Sequence, residues 1–104
     1  MQITEITLTN FRKFSNFKIN FNKITVIIGE NGSGKTSILE SIYTLSRGHS
    51  FNTRQITPLV KIQETKFILF AKINSDNKSH NIGLAKSLNN DTIRKLDQKK
   101  LSSH

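Results

Sequence analysis

Residues 29–36, GENGSGKT, constrain the fold of this 104-residue chain more than any other stretch. They fit the pattern G-x-x-x-x-G-K-[ST], whose glycines let successive backbone N–H groups point inwards around an anion. Residues 24–28, ITVII, are all apolar or β-branched, which predicts a strand covered on both faces. A helical pattern starts at Lys35, and Gly48 is a helix stop signal. A strand, a glycine-rich turn and a helix in this order predict a nucleotide-phosphate site.

The chemistry expected of this loop assigns a role to each residue type. Lys35 is expected to reach the β- and γ-phosphates of ATP, and the Thr36 hydroxyl to hold Mg²⁺. Ser37, one residue into the helix, is placed to help at the α-phosphate, and the helix adds its positive dipole end. The predicted nucleotide-binding residues of this stretch are Gly29, Glu30, Asn31, Gly32, Ser33, Gly34, Lys35, Thr36 and Ser37.

Strand patterns surround the predicted loop and helix. QITEITLTNF and NFKINF alternate before it, with RKFSN between them as a polar turn. On the helix, Ile38, Leu39, Ile42 and Leu45 form one apolar stripe. After residue 50, KFILFAKI and HNIGLAKSL are strand-like and NSDNKS is a turn, whereas TIRKLDQKKL is a short hairpin or a short helix, the hairpin being favoured. These patterns predict an α/β fold: a mixed β-sheet with one main P-loop helix and a β-rich extension over about 55–101.

The charge of the chain indicates a polyanion partner. The formal net charge is +9, and ten of the sixteen basic residues follow residue 50. Such a charge favours DNA through counterion release, although a solvated lysine face explains it as well. With no cysteine, disulfides and thiolate metal sites are excluded, and the three histidines have no metal-site spacing. No signal pattern or long apolar run is present, so we expect a cytoplasmic protein without a membrane contact.

The order of a strand, Asn-Phe-Arg, a second strand and a P-loop resembles the order found in the head domains of ABC, SMC and Rad50 ATPases. SIYTLSRGHSFNTRQITPLV and the strands after it resemble the RecF family of DNA replication and repair proteins, over essentially the whole chain. This resemblance implies the N-terminal lobe, residues 1–104, of a longer SMC-like ATPase that dimerises with ATP, binds DNA and helps to place RecA alongside RecO and RecR. It also implies that Arg12 lies near the nucleotide or the DNA. Asn52 stands where members commonly carry a basic residue.

Several catalytic features of such ATPases are missing from the sequence. The acidic residues after the loop are Glu40, Glu64, Asp76, Asp91 and Asp97, and none ends a hydrophobic strand as a Walker B carboxylate does. No Leu-Ser-Gly-Gly signature occurs either. The sequence therefore predicts a fragment that binds ATP without hydrolysing it alone. Two alternatives stay open: the same lobe of an SMC/Rad50 head or an OLD-type nuclease, and a basic nucleic-acid-binding module with a vestigial P-loop.

Overall fold

A computed structural model of the chain describes residues 2–21, 33–97 and 99–101. The predicted strand 24–28 and the loop residues 29–32 lie outside the described residues. Along the chain the elements are β1 (Gln2–Phe11), β2 (Phe14–Asn20), α1 (Ser33–Arg47), a short 3-10 turn (Thr57–Leu59), β3 (Lys66–Ser75), β4 (Lys78–Ser87), β5 (Thr92–Leu96) and β6 (Lys99–Leu101). None of the described helices combines the length and apolarity needed to cross a membrane.

The described strands form one sheet in the order β2-β1-β3-β4-β5-β6, and each neighbouring pair is antiparallel. The turn between β3 and β4 consists of Asp76 and Asn77, both with positive φ, which suits the twist of a tight hairpin. The predicted hairpin after residue 91 is confirmed, with Leu96 opposite Lys99. The predicted turn RKFSN is wrong in length, because only Arg12 and Lys13 turn and β2 already begins at Phe14.

The apolar core lies between one face of the sheet and α1. Most of its buried side chains come from β1, β3 and β4, and the others from α1 and the segment at the 3-10 turn. They include Ile6, Leu8, Phe11, Phe67, Leu69, Leu84, Leu45, Leu59 and Val60. Leu39 does not belong to this face, since 45% of it is exposed whereas Ile38 is 8% exposed. Leu39 lies about 100° around the helix from Ile38, on the exposed side of α1.

Several of the buried residues of α1 are polar. Glu40, Ser41 and Thr44 are almost completely buried. The Ser41 hydroxyl donates to the Ile38 carbonyl at 2.6 Å and the Thr44 hydroxyl to the Glu40 carbonyl at 2.7 Å, so both groups are satisfied within the helix. Helix α1 ends at Arg47 as predicted, because Gly48 adopts a φ of 84° and its N–H donates to the Thr44 carbonyl.

The segment around the 3-10 turn is fastened to the end of β1. Phe11 forms a bridge with Val60, and the Arg12 N–H donates to the Leu59 carbonyl at 2.7 Å. The Lys61 N–H donates to the Asn10 carbonyl at 2.8 Å. These backbone bonds bring residues 57–61 against the β1–β2 turn, next to the first turns of α1.

Candidate nucleotide site and the ion pair beside it

A two-point ion pair joins the β1–β2 turn to α1. The Arg12 guanidinium donates from Nε and Nη2 to the two carboxylate oxygens of Glu40, both at 2.8 Å. Its Nη1 donates to the Pro58 carbonyl at 3.2 Å. The Glu40 side chain is 1% exposed and the Arg12 side chain 29%. A guanidinium matches a carboxylate in this parallel geometry, so the pair fixes the position of α1 relative to the turn.

Glu40 also holds the segment that follows α1. It accepts a short hydrogen bond from the Ser50 hydroxyl and a longer one, at 3.4 Å, from the Asn52 side-chain amide. The Ser50 hydroxyl in turn accepts from the Asn52 backbone N–H at 2.9 Å. One buried carboxylate therefore ties together the β1–β2 turn, α1 and the loop after α1.

These contacts determine the pKa of Glu40. Burial acts to raise the pKa of this carboxyl, but the hydrogen bonds from Arg12, Ser50 and Asn52, together with the positive charge of Arg12, lower it below its ordinary value of 4.5. Conversely, the hydrogen bond to Glu40 raises the pKa of Arg12. Both groups are therefore charged at neutral pH.

The lowered pKa of Glu40 predicts acid sensitivity. Because the folded-state pKa lies below the unfolded value, the stability that Glu40 contributes is present above about pH 5 and is lost as the pH falls through the folded pKa. We expect Glu40→Gln to be less stable than the unmodified chain at pH 7 and to lose less on acidification. Urea unfolding from pH 7 to pH 3 measures this. If the free energy of unfolding changed equally with pH in the two proteins, the lowered pKa of Glu40 would be contradicted.

A cavity of about 520 Å³ opens between the β1–β2 turn, the first turn of α1 and the segment 58–62. Its described lining consists of Arg12, Lys13, Ser37, Pro58, Val60, Lys61 and Ile62. These described lining residues include three basic side chains and a hydroxyl and no carboxylate. Thr36 is exposed in the same turn of α1, and Ser37 is buried. Hydroxyl and cationic donors at a helix N-terminus are the groups that a nucleotide phosphate needs.

The predicted site residues divide into three groups. Gly29, Glu30, Asn31 and Gly32 lie outside the described residues; Ser33, Gly34 and Lys35 are the first residues of α1; Thr36 and Ser37 follow them. Arg12 lines the cavity, and its guanidinium is engaged by Glu40 and Pro58. Arg12 is thus placed to position α1, and its contact with a nucleotide or DNA stays a prediction.

Two features of this site were missed from the sequence. Glu40 was considered only as a Walker B candidate, and Lys61 was counted only as one of the basic residues. A signal for Glu40 was present: Ser37, Glu40, Ser41 and Thr44 follow a helical spacing beside the apolar stripe, which indicates a buried polar face. Lys61 is brought to the cavity by the bridge between Phe11 and Val60, and no local sequence pattern predicts this bridge.

Comparison with known proteins identifies the class first. The model of the AAA ATPase domain family matches residues 1–103. The chain therefore belongs to the AAA ATPase domain family. Within this class, the resemblance to RecF is confirmed by curated relatives and by solved structures.

The curated relatives are DNA replication and repair proteins named RecF. The chain is 39% identical over 98 residues to the protein of Psychromonas ingrahamii, covering 93% of this chain and 27% of the relative. It is 34% identical to that of Cronobacter sakazakii, covering 93% and 28%. For Francisella tularensis subsp. novicida the identity is 37%, covering 100% and 30%. The chain thus spans less than a third of the length of these relatives.

Solved structures confirm the fold class. The chain superposes on a structure of the recombination mediator protein RecF with ATP with a TM-score of 0.87 and 31% identity, covering 98% of this chain and 28% of that one. An SMC head bound to a winged-helix domain gives a TM-score of 0.82 at 20% identity, covering 98% and 37%. The SMC likeness concerns the fold alone. The sheet with one packed helix is therefore the P-loop NTPase-like lobe shared by RecF and SMC heads.

Proposed function

We propose that this chain is the ATP-binding N-terminal lobe of a RecF-type protein of DNA replication, repair and recombination. The observation that carries the proposal is the continuity of GENGSGKT, residues 29–36, with the first turns of α1 beside a cavity lined by basic side chains. The 39% identity to a RecF protein and the superposition on RecF with ATP support the choice of nucleotide.

The proposed phosphate-binding residues keep the roles expected of this loop type. Lys35 contacts the β- and γ-phosphates, the Thr36 hydroxyl holds Mg²⁺, and Ser37 assists at the α-phosphate. Bound Mg²⁺ would neutralise phosphate charge. The ion pair between Arg12 and Glu40 holds α1 against the β1–β2 turn, so the cavity keeps its shape when the nucleotide enters.

The partners proposed for the longer protein follow from the family. They are DNA, bound without sequence specificity, a second copy in an ATP-dependent dimer, and RecR, RecO and RecA. Such a protein acts in the cytoplasm at the nucleoid and in the SOS response. The formal net charge of +9 supports contact with a polyanion.

Nucleotide titration tests the proposal. We expect Mg-ATP to bind with a dissociation constant in the micromolar-to-millimolar range, because this chain supplies one side of the phosphate site. This range corresponds to a binding free energy of about 4 to 8 kcal/mol in favour of the complex. Lys35→Ala should weaken binding at least about tenfold, since one charge-assisted contact contributes about 1.5 to 3 kcal/mol. Isothermal titration calorimetry of both proteins measures the difference.

A matched control removes a lysine elsewhere. Lys78 is exposed at the start of β4, so Lys78→Ala removes the same charge away from α1. We expect the affinity of this variant to equal that of the unmodified chain. Equal affinities of the unmodified chain and Lys35→Ala would overturn the proposed phosphate site.

A further inference from the structure

A second cavity of about 520 Å³ lies at the opposite end of α1, between its C-terminus, the loop that follows and strands β4 and β5. Its described lining is Arg47, Gly48, His49, Arg54, Lys86, Thr92 and Arg94. We call it the post-helix cavity. Four of these seven residues are arginine or lysine, and none of the seven is acidic.

The sheet residues of the post-helix cavity come from the face that carries the core. Lys86 is paired with Phe67, and Arg94 with Leu84; both of those partners are buried. Paired residues of neighbouring strands project from the same face of a sheet. Beyond the end of α1, the core face of the sheet therefore changes from apolar to cationic.

The cations of the cavity are close to one another. An Nη1 atom of Arg94 lies 3.9 Å from the position that a Cβ atom would take at Gly48, directly after α1. Burial and the charge of Arg94 lower the pKa of Lys86. Among residues 2–21, 33–97 and 99–101, no carboxylate forms an ion pair with Arg47, Arg54, Lys86 or Arg94. Like charges gathered without an internal counterion repel one another, and an anion in the cavity relieves this repulsion.

We propose that the post-helix cavity binds the phosphate backbone of a nucleic acid without reading its sequence. Several cations in one open cavity suit a polymer that presents successive phosphates. Arginine forks bind phosphate oxygens in pairs, and three of the four cations are arginines. This inference rests on the DNA-binding part of the proposed function and assigns it a place in the fold.

The experiment compares two double variants of this chain that lose the same charge. Lys86→Gln/Arg94→Gln removes the sheet cations of the cavity. Lys72→Gln/Lys78→Gln removes two exposed lysines of β3 and β4 that do not line it. Fluorescence anisotropy with a labelled single strand and a labelled duplex of arbitrary sequence, at several salt concentrations, gives the affinities and their salt dependence. Thermal unfolding verifies that both variants fold.

We expect the cavity variant to bind duplex DNA at least about tenfold more weakly, with a salt slope smaller by up to roughly 1.8. The control should change both quantities much less. Equal losses in the two variants, with binding by the unmodified chain, would overturn the cavity assignment and leave the proposed function standing. No binding by the unmodified chain at low salt would overturn both the cavity assignment and the DNA-binding part of the proposed function, and would leave the proposed ATP site to the nucleotide titration. If the cavity variant does not fold, Arg47→Gln/Arg54→Gln decides in its place by the same criteria.

Discussion

Arg12→Ala is expected to lower the free energy of unfolding by about 3 kcal/mol, near the lower limit for breaking a buried ion pair. The substitution leaves the carboxylate of Glu40 charged and without its counterion, while Ser50 and Asn52 are the described residues that still donate to it. We take the lower limit because Arg12 itself is partly exposed and partly hydrated in the folded protein. The loss should shrink at low pH, where protonation of Glu40 removes the unpaired charge.

Urea unfolding of four proteins at pH 7 measures this effect: the unmodified chain, Arg12→Ala, Glu40→Gln and the double variant. We expect the double variant to be more stable than the sum of the single losses predicts, because the residues act as one unit. The control is Lys18→Ala, which breaks the more exposed pair of Lys18 with Glu5 at 3.2 Å. Its expected cost is below about 1 kcal/mol. Equal losses in Arg12→Ala and Lys18→Ala would contradict a special role for the Arg12 pair.

This chain alone is expected to release no phosphate from ATP above background. Phosphoryl transfer requires charge neutralisation, a fixed Mg²⁺ and an oriented water. The sequence contains no acidic residue at the end of a hydrophobic strand after the loop and no Leu-Ser-Gly-Gly segment. Each missing transition-state contact of this kind costs about 3 kcal/mol or more, so two of them lower the rate at least about 10⁴-fold.

Phosphate release with ATP and Mg²⁺, with and without DNA, measures this directly. Lys35→Ala serves as the matched blank, because any turnover at the proposed site depends on that lysine. Steady turnover that Lys35→Ala abolishes would refute the expectation. It would also show that one of the five acidic residues after the loop is catalytic.

Local patterns predicted most of the strands and the end of the helix. β1 was predicted at its observed bounds, and the hairpin of β5 and β6 was the favoured one of two structures predicted for that stretch. Gly48 was recognisable as a stop because glycine adopts a positive φ without steric cost. Leu39 was wrongly assigned to the buried side, because the apolar stripe was inferred from hydrophobicity, whereas several of the buried positions of α1 are polar.

The contacts that form the two cavities were beyond the reach of local patterns. Arg12 and Glu40 are separated by 28 positions, and their pairing depends on how α1 lies across the sheet. Likewise, the charge of +9 indicated a polyanion partner, but only the register of β3, β4 and β5 brings Lys86 and Arg94 onto one face. Composition fixes the amount of charge, and topology decides where it accumulates.

The order of strands also has a consequence for the rate of folding. β3 and β4 meet through a two-residue turn, whereas β1 pairs with β3 through contacts such as Gln2 with Asn74 and Thr9 with Ile68. Bringing together residues that are roughly 60 to 70 positions apart costs chain entropy before the contacts between them stabilise the structure. Such non-local pairing therefore slows folding. We expect the hairpin of β1 and β2 and the consecutive strands β3 to β6 to form early. The pairing of β1 with β3 should then limit the rate of folding. α1 lies in the part of the chain between β1 and β3. The helix therefore packs in its final position only in the slow step in which these two strands pair.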